Sequence, residues 1–203
     1  MNQSAMGAVV TDVTSLLESP TVSSRRSRDL ANPAIALAIA GLLAGVAVAG
    51  AVARRRRRAK GAAMADAKTL VRRVLEEPWK GNWDVLDEGV ADTYVGYDPS
   101  QPEPIRGQEG LRANFQQYID GFADARITVD DQIAEGDKVA SRWTGRGTHT
   151  GEIAGVPATG KDVTVTGLTI SRLEGGKIVE EWTTWDTLGM LVQLGAIPEP
   201  ARA

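Results

Sequence analysis

From Ala65 onward the apolar positions follow two rhythms, first helical and then alternating. Ala67, Leu70, Val71, Val74 and Leu75 recur at three- and four-residue spacing, which predicts a helix over Ala65–Glu77 that Pro78 ends. "GNWDVLDEGV" predicts a short second helix, with Asn82 as the N-cap whose side chain accepts a free N–H of the first turn. "DTYVGYDP" reads as a short strand stopped by Pro99, and "SQPEPIRG" as a Pro-rich loop. Leu111, Phe115, Tyr118, Ile119 and Phe122 share one stripe and predict a third helix over Gln108–Phe122. Four strands are predicted next, at Ala125–Ile133, Lys138–Thr150, Val163–Leu173 and Lys177–Asp186. "EGD" at Glu135–Asp137 and "EGG" at Glu174–Gly176 are hairpin turns, and "GEIAGVPATGK" is a longer connection. A short helix over Leu188–Leu194 closes the pattern.

Three helices followed by a four-stranded antiparallel meander predict an α+β domain over residues 64–198. A curved sheet with helices in its concavity leaves a pocket between the layers, a common place for a small-molecule site.

The first sixty residues have a different character. Residues 1–32 are rich in Ser, Thr and Ala without strong periodicity and read as a disordered tail. Within the segment 33–60, Ala34–Ala53 is a run of twenty uncharged residues, followed at once by five arginines, Arg54–Arg58. Twenty helical residues rise about 30 Å, the thickness of a bilayer core. This predicts a single transmembrane helix with an Arg-rich flank. The flank outnumbers the basic residues before the span, so the positive-inside rule places the C-terminal domain in the cytoplasm. Because Ala and Gly dominate the run, two alternatives stand beside the anchor: a marginal helix in an extension, or a chain that starts at Met64 and is wholly cytoplasmic.

Charge sharpens this division. Residues 1–60 hold nine Lys/Arg and three Asp/Glu, a net of +6; residues 61–203 hold fourteen and twenty-three, a net of −9. An acidic globular part argues against nucleic acid as a partner, since that requires a basic footprint. No cysteine is present, which excludes disulfide and thiolate chemistry. The single histidine, His149, excludes a zinc site built from several imidazoles.

One carboxylate stands in an unusual setting. Asp186 follows Trp182 and Trp185 and precedes Leu188, Met190, Leu191 and Leu194. Burial among such groups would disfavour the charged form and raise the pKa towards neutrality, as a general acid/base requires. Asp186 also sits directly before the closing helix, where Asp is a favoured N-cap, and N–H donors there would lower its pKa instead.

The segment from Trp143 to Gly195 carries "GTHTGE", "G-x-P-x-T-G-K", "R-x-E-x-G-K-I-V-E" and "W-D-x-L-G" over about fifty consecutive positions, and "DPSQPEPIRGQEGLR" precedes it. These motifs resemble the SnoaL-like polyketide cyclases, also called ester cyclases, of the nuclear-transport-factor-2-like (NTF2-like) superfamily. The resemblance covers roughly Ala65–Pro198. It implies a cone-shaped α+β domain with three helices on a curved antiparallel sheet, and cofactor-independent ring closure by intramolecular aldol condensation. It also implies a dimer, and by motif position it makes Asp186 the acid/base. Two departures stand out: Tyr97 lies where relatives often carry His, and Ser171 lies near a position where some carry another.

The remaining candidates follow from the pattern and that resemblance together. His149, at a strand end, is a candidate to polarise a carbonyl. Tyr97, Trp143 and Trp182 are candidate substrate-binding walls, while strand alternation turns Trp185 away from Trp182 and Asp186 and assigns it to the core. Arg142 and Arg146 face solvent, as do Arg72 and Arg73. The expected ligand is a small hydrophobic molecule bearing a carbonyl. Two functions fit: a cyclase, lyase or isomerase working by proton transfer, or a non-catalytic, membrane-tethered module that binds an apolar molecule or a protein.

Overall fold

The computed structural model describes residues 33–198, with side chains from Gly50 to Pro198. The tail expected over 1–32 lies outside the described residues. The chain divides into two units, Met1–Arg58 and Ala59–Ala203. Helix α1 (Pro33–Glu76) runs unbroken for 44 residues, so the helix expected over Ala65–Glu77 is the end of a longer element. No helix among the described residues is long and apolar enough to cross a membrane. The spanning helix expected at Ala34–Ala53 has no support among them, and the side chains of residues 33–49 lie outside the described residues.

In the unit from Ala59 onward, the last turns of α1 are followed by a 3-10 turn (Pro78–Lys80), α2 (Asp84–Gly89), β1 (Val90–Tyr97), β2 (Ile105–Arg106) and α3 (Gly107–Gly121). Four long strands come next, β3 (Phe122–Glu135), β4 (Lys138–His149), β5 (Asp162–Glu174) and β6 (Lys177–Trp185), and then α4 (Thr187–Leu194). The sheet has six strands in the order β2-β1-β6-β5-β4-β3. The meander β3–β6 is antiparallel, as alternation and turn residues predict. Its last hairpin closes through Gly175 and Gly176, both left-handed (φ 58° and 83°), where the two-residue turn demands glycine. The sheet as a whole is mixed, which corrects the antiparallel expectation. Strand β1 lies parallel to β6, a pairing open to them because α3 and four strands intervene and no tight turn joins them.

Local details depart from the sequence pattern at two helices. Trp83 precedes α2 and supplies no side-chain cap, while the predicted cap, Asn82, turns back and donates to Glu77 Oε2 at 2.7 Å. Arg72 and Arg73 are bound rather than freely solvated. Arg73 pairs with Glu77 and Glu88, and Arg72 pairs with Glu76.

The Arg72–Glu76 pair does structural work. Strand β3 bulges between Val129 and Asp131. A bulge leaves ladder groups unpaired, and α1 supplies partners for them. Val129 N–H donates to Glu76 Oε1 at 2.7 Å, and Arg72 Nη1 donates to the Val129 carbonyl at 2.7 Å. The same helix buries Val71, Val74 and Leu75 against Leu111 and Phe115 of α3 and Val129, Val139 and Trp143 of the sheet. A second cluster, Phe122, Ile153, Val163, Met190 and Leu194, seats α4 at the other end.

Strand β6 carries the register change that matters most. Leu173 pairs with Ile178 but Arg172 pairs with Glu180, so Val179 is an extra residue. Ile178 is fully buried. After the extra residue the alternation inverts, and the inner face takes Glu181, Thr183 and Trp185.

Glu76→Ala should cost about 1–3 kcal/mol, because it strands a buried-side N–H of β3. Glu76→Gln, which keeps an acceptor, should cost less. Urea unfolding midpoints of the two variants against wild type check this.

Candidate functional site

Between α3 and the inner face of the sheet lies a cavity of about 120 Å³, several times what a single water needs. The helices supply Leu75, Leu111, Phe115 and Tyr118, and the sheet supplies its polar floor. Strand pairing sets that floor: Ser171 lies opposite Glu181, Thr169 opposite Thr183, and Gly167 opposite Trp185. Glycine is needed at 167 because a side-chain carbon there would overlap the Trp143 ring.

Glu181 is the carboxyl group of this cavity. It is 5% exposed, and Ser171 Oγ donates to Oε1 while Tyr94 Oη donates to Oε2 at 3.0 Å. No cation pairs with it among the described residues. Burial pushes its pKa up, against the smaller opposite pull of the two hydroxyl donors. Tyr94 is held well above the usual tyrosine range, by burial first and then by the Glu181 charge, so its proton stays available to donate. Gly96, two residues along β1, leaves the space that the Tyr94 hydroxyl occupies.

A chain of donors ends in the same cavity. Trp143 Nε1 can only donate, and it donates to Thr169 Oγ1 at 3.0 Å. Thr169 Oγ1 lies 3.0 Å from Thr183 Oγ1. Either hydroxyl can donate across this pair, and when Thr169 does, the Thr183 proton is left for the cavity that both line. Glu181 and Thr183 are two residues apart on one face of β6, about 6.5 Å from Cα to Cα. A proton acceptor and a hydroxyl donor therefore face the same space.

At the rim, Asp98 Oδ1 accepts from Ser100 N–H at 2.8 Å, Ser100 Oγ at 2.5 Å and Trp185 Nε1 at 3.2 Å. Ser100 Oγ is also 2.9 Å from Tyr118 Oη. Burial raises the Tyr118 pKa to about 12, with the Asp98 charge adding to it against the Ser100 bond.

The structure separates the residues that sequence reasoning grouped. Trp143 is buried in the cavity wall, as a candidate wall residue should be. Tyr97 is 41% exposed and touches the cavity only at its edge. Trp182 lies on the opposite face of the sheet, stacked on Tyr97 with ring centroids 6.1 Å apart, and does not line the cavity. Trp185, assigned to the core, packs against both hydrophobic clusters and also lines the cavity. Asp186 is exposed and outside the cavity, and its Oδ1 accepts the Gly189 N–H at 2.7 Å as the N-cap of α4. The desolvated setting expected for it is absent, because the flanking apolar residues point elsewhere. Arg142 and Arg146 are exposed as expected.

His149 is fully buried but lies behind Phe122, with ring centroids 5.2 Å apart, and lines neither the cavity nor its rim. Its Nδ1 accepts the Thr159 N–H at 3.2 Å, which pins the loop after β4. The ring proton then sits on Nε2, which meets no partner among the described residues. Among the described residues no group of three or more His, Asp or Glu side chains is placed to hold a metal ion.

Glu181 escaped sequence reasoning because the extra residue at Val179 cannot be read from alternation. The available signal was two pairs of polar residues at alternate positions, 169 and 171 on one strand and 181 and 183 on the next.

Comparison with known proteins gives the family and the fold. The sequence pattern of the SnoaL-like polyketide cyclase family matches residues 69–194, more than half of the chain. IdmH of Streptomyces antibioticus, described as a candidate polyketide cyclase, is 36% identical over 64% of this chain and 98% of its own, with a TM-score of 0.57. A candidate SnoaL-like polyketide cyclase from Jannaschia sp. CCS1 is 25% identical over 66% and 95%, with a TM-score of 0.61. AclR of Streptomyces galilaeus, described as a candidate hydroxylase, is 26% identical over 68% and 87%, with a TM-score of 0.60. Among proteins of curated function none matches the chain.

Asp186→Ala should destabilise by about 0.5–2 kcal/mol through loss of the cap, and Asp186→Asn by less. Ligand affinity in the cavity should stay within about twofold in both. His149→Ala should cost about 1–3 kcal/mol by stranding the Thr159 N–H. Thermal melts and ligand titrations of the three variants check both statements.

Proposed function

The chain belongs to the SnoaL-like polyketide cyclase family, and from that premise we propose that it is a cyclase or isomerase acting by proton transfer on a small hydrophobic carbonyl compound, with Glu181 as the acid/base. One observation carries the reading: a buried carboxyl group, unpaired by any cation among the described residues, faces a cavity beside a hydroxyl group.

Removal of a proton beside a carbonyl needs a base whose pKa is near the working pH, and burial moves Glu181 in that direction. The negative charge then grows on the carbonyl oxygen. The Thr183 hydroxyl lines the cavity and can donate to it when Thr169, which accepts from Trp143, donates to Thr183. In an aldol closure the enolate carbon attacks a second carbonyl, and the protonated Glu181 returns its proton to the new alkoxide. In an isomerisation it returns the proton to another carbon. The donors Ser171 and Tyr94 hold the carboxyl group in position for both steps.

The same fold hosts unrelated chemistries, and AclR is described as a candidate hydroxylase. A binding module remains the alternative to an enzyme. A buried, cation-free carboxyl group favours the enzyme, since a pure binder of apolar molecules gains nothing from the cost of desolvating it.

The test needs no native substrate. Exchange of the methyl protons of an acetylarene into deuterated water, followed by NMR, reports proton abstraction directly. Glu181→Gln should slow protein-catalysed exchange by about 100-fold or more, and exchange at the wild-type rate would remove Glu181 from the mechanism.

The pH dependence of stability follows from the raised pKa of Glu181. Folded protein holds this proton more tightly than unfolded protein, so the stabilisation is complete below the ordinary glutamate range and is lost as pH rises through the folded value. Glu181→Gln stays neutral throughout. Its melting temperature relative to wild type should therefore be higher at about pH 8 than at about pH 4.

A further inference from the structure

Helix α1 carries a charge feature that the carbonyl chemistry leaves unused. Arg54–Arg58 are consecutive arginines, and Lys60 follows closely. Every residue from Ala51 to Ala63 is exposed. No carboxylate pairs with these cations among the described residues. The nearest acids in sequence are Asp29 and Asp66, on either side of a long stretch that has none.

Helical geometry turns the run into a ring. Successive residues of an α-helix are about 100° apart, so five in a row point to all sides within a rise of about 6 Å. An amphipathic helix that lies along a surface carries its cations on one face instead. A ring meets anions on every side only where the helix axis passes steeply through them. The polar layer on each side of a bilayer is about 5–8 Å deep, which matches the height of the ring.

The residues before the ring select lipid over nucleic acid. Ala34–Ala53 contains only Ala, Gly, Ile, Leu and Val. Such side chains make no hydrogen bond to a phosphate, a sugar or a base edge. The hydrocarbon just beneath lipid phosphates suits them, because it removes them from water. The rest of the chain adds no attraction to anions. Residues 61–203 carry a net charge of −9, which an anionic surface repels.

We propose that Arg54–Arg58, with Lys60, seat α1 in the headgroup layer of an anionic lipid surface, with the uncharged run on its hydrocarbon side. Guanidinium groups meet the lipid phosphates through paired, charge-assisted hydrogen bonds. The contact needs one lipid surface and no crossing. It is independent of the reading of Glu181.

The test uses the full chain, synthesised in a cell-free reaction beside equal amounts of two vesicle populations of different density. One is phosphatidylcholine alone, and the other contains about one-third phosphatidylglycerol. After flotation, wild type should favour the anionic vesicles by about tenfold or more. Replacing all five arginines, Arg54→Gln through Arg58→Gln, should bring the distribution to within about twofold of even. Arg54→Lys through Arg58→Lys keeps the charge and should keep most of the preference. All five tryptophans lie between Trp79 and Trp185, so their emission reports in each variant that the domain is folded. An even distribution of wild type overturns the proposal, as does its absence from both populations. A preference that survives in the glutamine variant, or one lost equally in the lysine variant, also overturns it. So does transfer of wild type from the vesicles to added polyuridylic acid.

Discussion

A carboxyl group taken out of water must find donors or keep its proton, and Glu181 does some of both. Two hydroxyls, from Ser171 and Tyr94, meet its oxygens, and no guanidinium or ammonium pairs with it among the described residues. Hydroxyl donors stabilise the anion less than a cation would, so desolvation dominates and the pKa rises. Much of the sheet's inner face is arranged around this fact. Ser171 faces Glu181 across one strand pair, Tyr94 reaches it from β1, and glycines at 96 and 167 clear room for the tyrosine and for Trp143.

Backbone irregularities deliver these groups. The extra residue in β6 turns Glu181 inward, and the bulge in β3 is met by Glu76 and Arg72 of α1. Bulges bend and twist a sheet, and here they leave space beneath α3. The cavity thus depends on the end of α1 as well as on its own walls, although no α1 residue beyond Leu75 lines it.

Polar and apolar work are divided along the cavity. Hydroxyls and the carboxyl group cluster at one end, and an adjoining smaller hollow is bounded by Phe122, Val163 and Met190 at the other. The aromatic pair Tyr118 and Trp185 lines both, oriented through the Asp98–Ser100 turn.

The sequence by itself determined the order of the helices and long strands from Asp84 onward, the four-strand meander to within three residues at each end, and the family, while the short β2 lies in a segment that reads as loop. These follow from short-range causes: periodic apolar positions, proline stops and glycine turns such as Gly175–Gly176. It also allowed the cap role of Asp186, because capping is a contact between residues three apart. Tertiary structure alone decided that β1 runs parallel to β6, since that pairing joins segments almost ninety residues apart. It decided the site as well. Alternation correctly grouped Trp182 with Asp186 and set Trp185 apart from them, but the one extra residue at Val179 reversed which group faces inward. A shift of one residue exchanges the two faces of a strand, and where it falls is set by pairing with neighbours rather than by the strand's own residues.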